Sequence, residues 1–108
     1  MLVEIQFDIL FNIGGKRMSK VRNVENKISE VEGFEVRILH LDGRDARSDF
    51  NALPLYKYER KAPDNFTVND WKSRFYSLTD RFEVEVLDGG GNPVHGLTKL
   101  RTVRDSYL

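Results

Sequence analysis

Cysteine is absent from the 108 residues, which removes a disulfide framework, a thiolate nucleophile and every cysteine-ligated metal site. An excess of either charge is absent too. Lys plus Arg and Asp plus Glu number 17 each, so the summed field draws the chain toward neither nucleic acid nor an anionic membrane, and any basic site has to be local. No apolar run approaches the ~20 residues that span a bilayer. The opening MLVEIQFDIL carries acids where a secretory signal is uninterruptedly apolar. A soluble, cytoplasmic chain with no membrane partner is the expectation. Histidine is scarce: His40 and His95 are the two present, no HExxH occurs, and no serine sits in a GxSxG context, so neither a zinc site nor a triad is offered. No cofactor is expected, and the enzyme reading is disfavoured.

What is present suits one packed domain over residues 1–108. A hydrophobic content of 40% with 11% aromatics supplies a core, and the length is the commonest for a single domain. Alternation in LVEIQFDILF puts Val3, Ile5, Phe7, Ile9 and Phe11 on one face and predicts a first strand. Val21, Val24, Ile28 and Val31 recur at helical spacing and end at Gly33, a residue suited to a left-handed cap. FEVRILHLDG alternates Phe34, Val36, Ile38 and His40 into an Asp-Gly turn, a second strand. LPLYKYER, with Tyr56 and Tyr58 on one face, reads as a third, which Pro54 confines to an edge or a start.

The clearest local signal lies in FTVNDWKSRFYSL. Thr67 and Asp70 form a capping-box pair, Phe66 is placed to staple against Trp71, and Trp71, Phe75 and Leu78 make the helical stripe. RFEVEVLD alternates Phe82, Val84 and Val86 against polar neighbours, a fourth strand. Leu97, Leu100, Val103 and Tyr107 then predict a short terminal helix with Thr98 as its cap. This order predicts an α+β chain of the ferredoxin-like split β-α-β type: a four-stranded antiparallel sheet, two helices on one face, and an added C-terminal helix. Such a fold carries no function by itself.

Three kinds of site are suggested by the residues. Gly14, Gly15, Lys16 and Arg17, followed by Lys20, place glycines and cations where the first strand turns into a helix. There, free backbone amides and the helix dipole favour a small anion. The Walker and dinucleotide patterns are both missing, and a plain turn, for which Gly-Gly is among the commonest signals, is the favoured account of the glycines. Asp8, Asp42 and Asp45 are oxygen ligands of the kind a metal-dependent hydrolase or nuclease uses, but no EF-hand spacing joins them. Asp8 in FDI is similar to the start of the small CRISPR-associated endoribonuclease-like proteins, which share the split β-α-β fold. The likeness spans a handful of residues, and everything after position 42 departs from it, so no catalytic role carries over.

The outward strand positions are mostly acidic, among them Glu4, Glu59, Glu83 and Glu85, which makes nucleic acid an unlikely partner for the sheet face. Leu10, Leu39, Leu41 and Leu87 also point outward and, in the expected sheet, gather toward one end as a dimer interface. The sequence therefore favours a non-catalytic, self-associating interaction or structural module. An anion-binding domain at Gly14 to Arg17 and a metal-dependent hydrolase are the alternatives.

Overall fold

The computed structural model describes residues 18–46 and 53–108. In chain order the elements are β1 (Met18–Ser19), α1 (Val21–Glu32), β2 (Glu35–His40), β3 (Leu53–Pro54), α2 (Val68–Tyr76), β4 (Phe82–Leu87) and α3 (Leu100–Asp105). Each helix arises where the stripe predicts it. In α1 the buried positions are Val21, Val24, Glu25, Ile28 and Glu32, and Gly33 ends the helix at φ 81° while its N–H reaches the Ser29 carbonyl. That angle is left-handed, so a side chain there would be strained. In α2 both halves of the capping box form, with Asp70 N–H on the Thr67 hydroxyl at 3.1 Å and Thr67 N–H on the Asp70 carboxylate at 2.9 Å.

The strands correct the expected architecture. Among the described residues they make two separate antiparallel pairs, β1 with β3 and β2 with β4, rather than one four-stranded sheet. The β2–β4 register runs without a break from Glu35 opposite Leu87 to His40 opposite Phe82. In the ferredoxin-like arrangement those two strands occupy opposite edges with the others between them, so their direct pairing overturns that topology. The LPLYKYER segment is also corrected, because only Leu53 and Pro54 pair and residues 55–59 form no ladder. The proposed first strand lies outside the described residues. Thr98 is not the cap of α3: its carbonyl accepts the Val68 N–H, and the helix starts one residue later from Lys99.

One core joins the elements. Phe34, Val36 and Ile38 of the β2 segment and Phe82, Val84 and Val86 of β4 turn one face inward, toward Val24 and Ile28 of α1 and Trp71 and Phe75 of α2. Phe34 meets Trp71 edge to face, with centroids 5.2 Å apart, the favoured aromatic geometry. Both outer edges of the β2–β4 ribbon are partly covered by the chain itself. On the β2 side, Ala46 N–H reaches the Ile38 carbonyl and His40 N–H the Arg44 carbonyl, while the Glu25 carboxylate takes the Ile38 N–H at 2.8 Å. On the β4 side, Val94 N–H reaches the Val86 carbonyl.

Candidate functional site

Two polar features stand out, and they differ in what they leave open. The first is a buried charge cluster centred on Glu32, the last residue of α1, whose side chain is fully buried. One carboxylate oxygen, Oε2, accepts the Tyr56 hydroxyl at 2.6 Å and Arg74 Nη1 at 3.0 Å. The other, Oε1, accepts the Ala62 N–H at 2.8 Å and Arg104 Nη2 at 3.3 Å. Arg104 also reaches the Glu32 carbonyl through Nε and Asp64 through Nη1. Arg74 donates in addition to the Arg60 carbonyl and lies 4.4 Å from the Tyr58 ring centre. The Trp71 indole N–H donates to the Tyr56 oxygen at 3.1 Å.

This cluster is tuned for holding. Burial, then the neighbouring Glu32 carboxylate, pushes the Tyr56 hydroxyl well above the ordinary phenol value, so it stays a donor. The Arg104 guanidinium holds the Asp64 carboxyl below its usual range. An unpaired buried carboxylate is costly, and two guanidiniums with two further donors offset that cost here. Among the described residues no buried side-chain nitrogen or oxygen lacks a partner.

The second feature is open. A polar groove of about 510 Å³ runs between α1 and the outer edge of β2. Arg22, Asn26, Ser29 and Glu30 line its helical wall, with Glu25 deeper, and Glu35 and Val36 line the strand side. Ladder alternation identifies what faces it. The N–H and C=O of Ile38 point away from β4, toward Glu25 and Ala46, so those of Val36, two residues back, face the same edge. No loop or side-chain hydrogen bond among the described residues reaches either Val36 group, and the residue as a whole is 2% exposed, so its backbone is covered rather than open to the groove.

The residues singled out from the sequence are scattered. Gly14, Gly15, Lys16, Arg17, Leu10 and Asp8 lie outside the described residues, and Lys20 supplies the N-cap position of α1 without a side-chain capping bond. Leu39 and Leu87 are not brought together. Antiparallel pairing sets Leu39 opposite Glu83 and Leu87 opposite Glu35, which separates the two leucines by roughly 13 Å of strand. Leu41 is 63% exposed beyond the end of β2. Asp42 is engaged by the Arg44 backbone N–H and Nε, which hold its carboxyl below the usual range. Among the described residues no group of three or more His, Asp or Glu is placed to hold a metal ion. No described helix is long and apolar enough to cross a membrane.

Sequence reasoning missed Glu32, Arg74 and Arg104, although a signal existed. Glu32 sits four residues after Ile28, Arg74 three after Trp71 and Arg104 four after Leu100, so all three fall on apolar stripes, where a charged residue needs a partner. Compared with known proteins, the chain matches no family model, no curated protein and no solved structure.

Proposed function

We propose that this domain is a non-catalytic interaction module, and that a segment of another chain seats in the groove between α1 and the outer edge of β2. The observation that carries the reading is the groove itself, a polar recess of about 510 Å³ beside β2 with Arg22, Asn26, Glu30 and Glu35 exposed along it. An extended segment can lie along such a recess, with its side chains meeting the polar groups of the walls. The non-catalytic part of the proposal is supported by the Glu32 cluster, whose acid, phenol and guanidinium groups are committed to one another. Because Ile38 and His40 already spend their edge groups on Glu25, Ala46 and Arg44, and Val36 is buried, a partner depends on side-chain contacts.

A panel of acetylated, amidated octapeptides tests this. Each alternates Thr and Val and carries Lys, Glu or Ser at two central outward positions. Titration into ¹⁵N-labelled protein should move the amides of Asn26, Ser29, Glu30, Glu35 and Val36 together for at least one member. If no member at millimolar concentration moves that set, the groove is not a docking site.

A further inference from the structure

The helical wall of the groove carries opposite charge at its two ends. Arg22 stands in the first turn of α1 and Glu30 in its last, both exposed and both lining the groove. Eight positions separate them on the helix, about 12 Å along the axis. A helix is most stable with acids in its first turn and bases in its last, where they oppose the macrodipole. α1 has no acid in its first turn and no base in its last. Arg22 therefore adds to the positive pole of the helix and Glu30 to the negative pole, and neither side chain has a hydrogen-bond or ion-pair partner among the described residues to offset the placement. The other acids of α1 and of the lining leave this polarity intact. Glu25 is 5% exposed and bonded to the Ile38 N–H, Glu35 belongs by alternation to the strand face turned away from α1, and the charge of Glu32 is met by Arg74 and Arg104.

We infer that the segment seated in this groove is itself bipolar, an extended stretch with an acidic residue against Arg22 and a basic residue four positions away against Glu30. This rests on the interaction reading above and adds the chemistry of the partner. Strand geometry sets the spacing. Residues four apart on an extended segment lie on one face and about 13 Å apart, which matches the separation of the two charges on α1. Either chain direction serves, because Glu-x-x-x-Lys laid one way presents the same charges as Lys-x-x-x-Glu laid the other. A segment with two like charges satisfies one end and meets repulsion at the other. Both charges on α1 are exposed, so the preference is screened by salt and should fade as ionic strength rises.

Octapeptides on the same Thr and Val background decide the matter, carrying Glu and Lys, two Glu, two Lys or two Ser placed four positions apart. At low salt the Glu/Lys peptide should bind about fivefold more tightly than the Ser peptide, the effect of two exposed ion pairs. Both like-charged peptides should bind more weakly than the Glu/Lys peptide, and the spread should shrink by about 0.3 M NaCl. Glu30→Arg makes both ends of the wall positive and should transfer the preference to the Glu/Glu peptide, whereas Arg22→Glu makes both negative and should transfer it to the Lys/Lys peptide. Each substitution agrees with the macrodipole, so each variant should melt at or above the parent temperature, and a changed preference in such a variant does not come from unfolding. Equal binding of all the peptides at the groove amides overturns the bipolar preference and leaves the docking site standing. An unchanged order in both variants also overturns it, by showing that Arg22 and Glu30 do not select. If no peptide moves those amides, both readings fall.

Discussion

Replacing Glu32 by glutamine keeps the shape of the buried side chain and removes its charge. Four donors converge on the two carboxylate oxygens, two on each. A glutamine offers one acceptor oxygen and one NH₂, so either the Tyr56 and Arg74 pair or the Ala62 and Arg104 pair faces a donor where it had an acceptor. Breaking a buried ion pair from one side costs about 3–5 kcal/mol. The lower end applies here, because Arg104 keeps Asp64 and the Glu32 carbonyl, Arg74 keeps the Arg60 carbonyl, and their side chains are 12% and 19% exposed. The expected loss is about 3 kcal/mol, a large share of the roughly 5–15 kcal/mol that stabilises a domain of this size.

Trp71 is the one tryptophan, is fully buried and bonds to Tyr56 within the cluster, so its fluorescence follows unfolding at the place perturbed. With an m-value of about 1.5 kcal/mol/M the urea midpoint should fall by about 2 M. Combining Glu32→Gln with Arg104→Met should cost less than the sum of the two single changes by about 1 kcal/mol or more, because the residues share one interaction. A midpoint within about 0.3 M of the parent, or strict additivity, would refute the idea that the cluster holds the three helices together.

Three further outcomes are expected. Thr67→Ala should destabilise by about 1 kcal/mol through loss of the α2 cap, measured by the same urea titration. Hydrogen bonds from the Thr67 backbone and side chain hold the Asp70 carboxyl below its usual value. Its stabilisation is therefore present above the unfolded carboxyl pKa of about 4 and lost as pH falls through the lower folded value, so the cost of Thr67→Ala should shrink in acid. Burial followed by hydrogen bonding to Glu83 pushes Tyr76 up to about 12, and burial also raises Tyr56 and Tyr107. Stability is thus intact below the unfolded phenol pKa of about 10 and lost as pH rises through the folded values. Absorbance at 295 nm should show these three phenols ionising late, together with alkaline unfolding, and ionisation near pH 10 in the folded protein would contradict this. Gly89→Ala should destabilise strongly on thermal melting, because the added Cβ would fall on the Ser106 carbonyl, and an unshifted melting temperature would place the 106–108 segment elsewhere.

Local structure was legible where a single segment decides it. The Thr67–Asp70 box, the Gly33 cap and the alternation in β2 and β4 are set by neighbours within a few residues, and each is found as read. Pairing was not legible, because alternation states which face is buried and is silent on which strand lies alongside. The same limit explains LPLYKYER. Its inward Tyr56 is explained by the hydroxyl that Glu32 and Trp71 require, and it has no ladder. Leu39 and Leu87 lie apart on the ribbon for the same reason, since the end they were expected to share depended on strand directions that the β2–β4 pairing reverses. Of the groove, the glutamates were visible as charges on α1 and β2. That Glu25, Glu30 and Glu35 line one groove follows only from how α1 lies against the strand.

The β2–β4 ribbon also imposes an order on events during synthesis. The cross-strand pair Arg37–Glu85 is separated by 48 residues, and the partners of Glu32 follow it by 42 residues for Arg74 and 72 for Arg104. At roughly 5–20 residues per second, β2 waits about 2–10 s for the strand that completes it, and Glu32 waits about 4–14 s for its second arginine. Throughout that interval α1 can form, yet its apolar stripe lacks its cover and its last carboxylate stays in water. A nascent chain of this protein therefore has little reason to collapse early: its buried acid disfavours a dry core until both cations have arrived, so folding is deferred to the point at which the distant halves can close together.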